Sequence, residues 1–386
     1  MSETPASPSK LPPSIAERFP LVPRPRPPAG GLQERLAEID RLAHTPAPTS
    51  PAIPAAEALN KAALLASDLG HSHLATRLCY QQFHAFNHAG PLPPSLATAA
   101  MQPLVNLGRL AIRARDTTRA YTIFEGVYNA TRTRTALILD GIDIDTAKLF
   151  DSDESARTAG RFLWTVLIGD GTRALTRAGR WDDALTHLHR HRGIGQRLLD
   201  GRQTLILARH LAGDTKDALA TLTQTDITQP WERAIAATLH VLCLHADDMA
   251  PGDTLASAID TYEAFDCDPA HRLFRTRLGL VLLELAHREA DSARLATGLI
   301  DDIASGKDGH TATEALSHPK LKPHLNETKI TALSRTAATA ATRKPTLSVA
   351  ILEELSATAD TATRALSDYI AEIIARPCLT TVLDGR

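Results

Sequence analysis

Three clusters of side chains carry the types and spacing that chemistry needs. The first is a basic turn, Arg190-His191-Arg192-Gly193-Ile194-Gly195-Gln196-Arg197, followed by Arg202. Glycines there would let backbone N–H groups face an anion, and a helix starting near Gly195 would add its positive end. Arg190, Arg192, Arg197 and Arg202 then form a candidate phosphate or carboxylate site. The competing reading is an inter-helix turn with solvated arginines. The second cluster is histidine: His187 and His191 are four apart and share a helix face, as do His84 and His88. Such pairs bind zinc only with a third ligand, and none is evident in the sequence, so no metal is expected. His240 and Cys243 share a face and read as a buried pair. The third cluster is acidic: Asp140, Asp143, Asp145, Asp151, Asp153 and Glu154, with Lys148 among them. Its spacing does not match a calcium loop, and it reads as a solvated loop with Asp153 capping the next helix.

No catalytic constellation accompanies these clusters. The sequence holds no Gly-x-Ser-x-Gly, His-Glu-x-x-His, kinase or phosphate-loop motif. Cys79 and His84 are five apart and fall on different helix faces. No cofactor is implied. A milder chemistry is suggested by Asn60 and Lys61, and by Gln102, Asn106, Arg109 and Arg113 at three- and four-residue spacing. These polar residues sit on otherwise apolar helices, where a partner could be held.

The elements that must position these groups are helices. Of 386 residues, 43% are hydrophobic and only 4% aromatic, which suits closely packed small aliphatics better than a β-sandwich. From Ala55 onward, apolar residues recur every three or four positions. A loop residue followed five positions later by Ala repeats along the chain: Gly70 to Ala75, Arg115 to Ala120, Gly179 to Ala184, Gly213 to Ala218, Arg288 to Ala293, with a weaker copy at Ala258. Ala184 and Ala218 are 34 residues apart, the period of a tetratricopeptide helix-turn-helix. In each copy the first helix ends at a residue able to take a left-handed cap. An Asp, Ser or Thr is expected to open the second helix.

The stretch Ala174 to Leu185, with Trp181 at the turn, and its neighbour Leu211 to Leu219 resemble tetratricopeptide turns. The resemblance covers residues 55–305, in degenerate copies, and extends to helical-repeat proteins of actinobacteria. It implies an all-α solenoid whose first helices line a concave groove. Tetratricopeptide domains that clamp a peptide carboxylate use Asn, Lys and Arg at such places. The resemblance therefore implies a groove built from Asn60, Lys61, Gln102, Asn106, Arg109 and Arg113.

Three segments depart from the repeat. Residues 1–54 hold 13 of the 24 prolines. Residues 1–30 read as a disordered or polyproline arm, followed by a short helix over 32–43. The step from Ala120 to Ala184 exceeds one repeat, and Asp140-Gly141 between apolar runs predicts a β-hairpin or ordered loop near 133–146. Residues 306–386 read as a C-terminal helical cap, in which the apolar stripe of 348–376 is a candidate dimer element. The formal charge of −2 argues against a dedicated nucleic-acid binder. The cysteines, Cys79, Cys243, Cys267 and Cys378, are too scattered for a stapled secreted domain. No signal peptide or membrane span is evident, so a bacterial cytoplasmic protein is expected. The leading expectation is a scaffold binding a peptide or protein partner. The alternative is a group-transfer enzyme using the basic turn on an aminoacyl-tRNA or a coenzyme A thioester.

Overall fold

The computed structural model describes residues 11–26, 28–45, 53–245, 252–340 and 349–375. Cys378 lies outside them. Helices follow one another as α1 (Pro13–Ala16), α2 (Leu32–His44), α3 (Pro54–Asp68), α4 (Ser72–His88), α5 (Pro94–Arg113) and α6 (Thr117–Thr133). A hairpin follows, β1 (Ala136–Leu139) and β2 (Ile142–Asp145), then α7 (Thr146–Leu149) and α8 (Asp153–Val166). A π-helical turn, Leu167–Gly171, leads to α9 (Thr172–Arg177), α10 (Trp181–Arg190), α11 (Asp200–Leu211) and α12 (Thr215–Thr223). The remainder is α13 (Pro230–His245), α14 (Gly252–Glu263), α15 (Arg272–Leu285), α16 (Glu289–Gly306), α17 (Gly309–Ser317), α18 (Glu327–Thr339) and α19 (Val349–Ala375). The chain is thus mostly helical, with one small sheet among the described residues. No helix among them is long and apolar enough to cross a membrane.

One backbone device marks four of the turns that the repeat pattern predicts. Gly70, Arg115, Gly179 and Gly213 all have positive φ. The next N–H in each case bonds the carbonyl five residues back: His71 to Ala66, Asp116 to Ala111, Arg180 to Leu175, Asp214 to Arg209, at 2.9–3.0 Å. This is the left-handed helix cap that satisfies the last carbonyls of the first helix. The small residue that follows, Ala75, Ala120, Ala184 or Ala218, is fully buried in every copy. Side-chain capping of the second helix is less regular than expected. Asp116 does accept the N–H of Arg119 at 3.0 Å, but Asp214 caps nothing with its side chain. The Arg288 copy departs too: α15 ends in an extended Ala286, and the buried alanine of α16 is Ala296 instead of Ala293.

The chain divides into two units. One contains residues 33–167 and 346–386, the other residues 1–32 and 168–345. In the former, α3 to α6 form two hairpins and α8 packs on α5 and α6. The hairpin pairs Leu139 with Ile142 around Asp140 and Gly141, both with positive φ, as a tight two-residue turn demands. Arg134 ties the insertion down by donating to the carbonyls of Ala147, Phe150 and Ser152. The acidic stretch is largely engaged. Asp140 accepts from Tyr80 and Arg119, and Asp145 caps α7. Ser152, not Asp153, caps α8.

Helix α19 corrects the C-terminal expectation. Its stripe of Leu355, Ala359, Ala362, Leu366 and Ile370 is buried, and it packs against α3 and α4. Gln81 donates to Asp360 at 2.8 Å and to Thr363 at 2.9 Å. The face expected to dimerise is therefore covered by its own chain. Helices α17 and α18 belong to the other unit, so 306–386 is not one cap.

The arm differs most from expectation. Ile15 and Phe19 are fully buried and Leu21 nearly so. They join a core with Leu198, Ile206, Ile235 and Leu282. Proline removes donors but leaves carbonyls and apolar side chains, and here both find partners within the unit of residues 168–345.

Candidate peptide-binding groove

The described residues of 17–29 form no regular secondary structure after the end of α1. Their main chain is held from outside, much as a bound peptide is held. Helix α9 supplies Arg173, Thr176 and Arg177, whose spacing of three and four puts them on one face. Arg177 donates to the Glu17 carbonyl at 3.2 Å, Thr176 to Phe19 at 3.2 Å, and Arg173 to Pro20 at 3.1 Å. Helix α11 supplies Gln203, which is fully buried. Its amide accepts the Leu21 N–H and donates to the Leu21 carbonyl, both at 2.8 Å, while also bonding the Leu198 carbonyl at 2.9 Å. Further on, Arg26 donates its N–H to the Ala270 carbonyl at 2.9 Å. Asp308, at the N-cap of α17, accepts the Ala29 N–H at 2.8 Å, and Gly309 returns its own N–H to the Ala29 carbonyl.

Between these contacts sits a pocket for one guanidinium. Arg24 donates through Nη2 to both oxygens of Asp200, at 3.0 and 3.1 Å. Its Nη1 lies 3.6 Å from Asp170. Both carboxylates are buried. Asp200 opens α11, where the helix dipole also favours a negative charge. Asp170 lies in the π-helical turn, a local widening often found at functional sites. Gly169 of that turn leaves room for the guanidinium, since a Cβ there would run into Arg24 Nη2. Burial disfavours the charge on Arg24, but Asp200 and Asp170 outweigh it and hold its pKa above the ordinary arginine value. Arg173 is pushed down to about 10, by burial first and by the Arg24 charge second. A second anchor is weaker: Arg18 lies 3.7 Å from Glu314, which Arg277 also binds at 2.7 Å.

The sequence-predicted residues are placed otherwise. The four arginines of the basic turn are not brought together around one helix N-terminus. The helix that follows starts at Asp200, five residues beyond Gly195, and an aspartate occupies its first turn. Arg197 pairs at 2.9 Å with Glu232, a fully buried carboxylate. Arg202 is buried, donating to Thr225 at 3.0 Å and to the Thr221 carbonyl at 3.1 Å. Arg190 and Arg192 are exposed at the end of α10. The glycines serve packing: Gly201 abuts the Gly193 backbone, and Gly193 abuts Ile168 and Leu188.

The polar residues of α3 and α5 are engaged with neighbours, Asn106 buried, Arg113 exposed and the others half-buried. Asn106 is buried and donates to Asn60, and Gln102 donates to Asn106 at 3.0 Å. Lys61 pairs with Glu38 at 3.1 Å and Glu57 at 3.4 Å. Arg113 bonds Ser67 at 2.7 Å and Asp68 at 2.9 Å. Arg109 lies one turn before Arg113 on α5 and also has a partner.

His187 is buried with its ring 4.8 Å from that of His191. His84 stacks on His88 at 5.5 Å, and burial together with His88 lowers its pKa. Cys79 is buried, which pushes its thiol up to about 12. The expected His240–Cys243 pair does not form one buried face, since Cys243 is buried and His240 exposed.

A separate cavity of about 290 Å³ is lined by Tyr262, Phe265, Arg272, Arg275 and Asp302 among others. Its arginines are already engaged. Arg275 bonds Asp302 at 3.0 Å and lies 4.6 Å from the Tyr262 ring centre, and Arg272 bonds the Gly306 carbonyl at 2.9 Å.

The groove residues Arg173, Thr176, Arg177, Gln203, Asp170 and Asp200 were not singled out from the sequence. Two signals pointed to them. Polar residues break the apolar pattern of α9 at three- and four-residue spacing. The arm also carries Ile15, Phe19 and Leu21, which a purely solvated segment has no need of. No protein-family model matches this chain, and it matches no curated protein.

Proposed function

We propose that the chain is a TPR-like helical-repeat scaffold of the bacterial cytoplasm that binds an extended, proline-containing segment of a protein partner. The groove lies on α9, α11 and α17, away from the helices the resemblance implied. The observation that carries this reading is the set of side-chain hydrogen bonds to the main chain of residues 17–29. Main-chain recognition of an extended segment is a general mode of peptide binding, because it tolerates sequence while side-chain pockets supply specificity. The recurrent left-handed turns support the repeat architecture. The thiols of Cys79, Cys243 and Cys267, none in a disulfide, suit a reducing compartment.

The test frees the groove without unfolding it. A protease site inserted between Gly31 and Leu32 lets the arm be cut while it stays seated. A fluorescent synthetic peptide of residues 11–30 is then titrated into the cut chain and followed by anisotropy. Saturable exchange, reversed by unlabelled peptide and lost in Gln203→Met, is the expected result. Absence of saturable binding overturns the reading.

A further inference from the structure

The groove does more than hold a main chain. We infer that the Asp170–Asp200 pocket selects a guanidinium, so that the groove takes partner segments carrying an aromatic residue, intervening prolines, and an arginine five residues after the aromatic. This rests on the peptide-binding reading above and narrows it to one chemistry. The chain's own arm, with Phe19 and Arg24 at that spacing, is then the occupant such a partner displaces.

The argument is electrostatic and geometric. Two carboxylates buried within one small pocket are unfavourable unless a cation joins them. Arg173 reaches Asp170 at 3.4 Å, but its other nitrogen is committed to the Pro20 carbonyl. The cation hydrogen-bonded to Asp200 is Arg24. A planar guanidinium reaches both acids at once, hydrogen-bonded to Asp200 through Nη2 and within ion-pair distance of Asp170, 3.6 Å, through Nη1. A lysine ammonium offers one centre of charge and cannot make both contacts with this geometry. Gly169 adds a steric filter, because its missing side chain is the space that the guanidinium occupies. The aromatic anchor is equally defined. Phe19 is fully buried, and its carbonyl is fixed by Thr176. Pro23 between the two anchors limits the conformations the segment loses on binding.

The experiment uses the cut full-length chain and three labelled peptides of residues 11–30: the parent, one with Arg24→Lys, and one with citrulline at position 24. Citrulline keeps the shape and removes the charge. Loss of a charged hydrogen-bond pair predicts about 10- to 100-fold weaker binding for citrulline, with lysine in between. In the Asp200→Asn chain the gap between parent and citrulline should shrink to a few-fold. Far-ultraviolet circular dichroism checks that this variant folds, and Asp170→Asn provides a second test of the same pocket.

The outcomes separate the two readings. If citrulline and parent bind equally while a Phe19→Ala peptide fails, the groove stands and the guanidinium selection is overturned. If no peptide binds, both fall. If the uncut chain elutes as a concentration-dependent dimer that free peptide splits, the occupant is the arm of a second copy, and the choice of a separate partner is overturned.

Discussion

Gln203 is the place to break the groove. Its amide makes three hydrogen bonds, two to Leu21 and one to Leu198, and it is wholly buried. Gln203→Met keeps the volume and removes every bond. Each lost bond contributes about 1 kcal/mol net, so roughly 3 kcal/mol is lost. The Leu21 N–H and carbonyl are also left in an apolar setting unless water reaches them, which raises the figure toward about 5 kcal/mol. The unit concerned comprises about 200 residues, a size at which 1 kcal/mol moves Tm by about 2–4 °C. The first thermal transition should therefore fall by about 6–12 °C at the lower figure. Because two units need not unfold together, the sharper assay is hydrogen exchange read by mass spectrometry. Amides between Leu21 and Arg24 should exchange roughly 100-fold faster, the equivalent of about 3 kcal/mol. Helix α4, in the other unit, should keep its protection. Unchanged exchange at Leu21 together with a Tm within 2 °C (about one kcal/mol at most) would refute the view that this side chain seats the arm.

Other consequences are checked as readily. The uncut chain should bind the labelled peptide about 1,000-fold more weakly than the cut one, since a tethered arm competes at millimolar effective concentration; anisotropy measures both. Gly169→Ala should weaken the arginine and citrulline peptides alike, since both fill the space that a Cβ would take, even though alanine adds up to about 1 kcal/mol of helix propensity. Glu232 has its pKa lowered: burial pushes it up, but hydrogen bonds from Thr228, Gln229 and Arg197 outweigh that. Its stabilisation is thus complete above the unfolded value near 4.5 and lost as pH falls through the lower folded value. The Tm gap between wild type and Glu232→Gln should be constant from about pH 6 to 8 and close on acidification below about pH 4. Tyr262 buries a hydroxyl that makes no hydrogen bond, so Tyr262→Phe should leave Tm unchanged or raise it, as calorimetry would show.

Local patterns and long-range ones fared differently in the sequence. The turns at Gly70, Arg115, Gly179 and Gly213 were legible because each is fixed by residues within five positions of one another. The Asp140-Gly141 hairpin was legible for the same reason. The stripe of α19 showed that one face is buried, but not that α3 and α4, some 280 residues away in sequence, bury it. The arm was misread because proline content reports on missing donors only. Its acceptors are satisfied from Arg173, Thr176 and Gln203, and the Leu21–Gln203 separation of 182 residues leaves no local trace. The basic turn shows that glycine has two uses: besides opening an anion cradle it allows close approach, as Gly193 and the nearby Gly201 do here.

The two amide sites show what separates a binding residue from a structural one. Asn60, Gln102 and Asn106 hydrogen-bond one another between α3 and α5. Gln203 instead satisfies both main-chain groups of Leu21, a residue 182 positions away in a segment without regular secondary structure. Asp200 faces a similar asymmetry, with a charge at stake. Emptying its pocket would leave a buried carboxylate unpaired, at about 3–5 kcal/mol for such a break. On the proposed reading an empty groove is a poorly populated state, and a partner binds by exchange of one arginine for another. The affinity that a partner shows will then be the difference between two similar segments, set by how well each fills the Phe19 and Arg24 positions. A tighter partner needs a better aromatic or a stiffer linker between the anchors, since the charge contribution cancels.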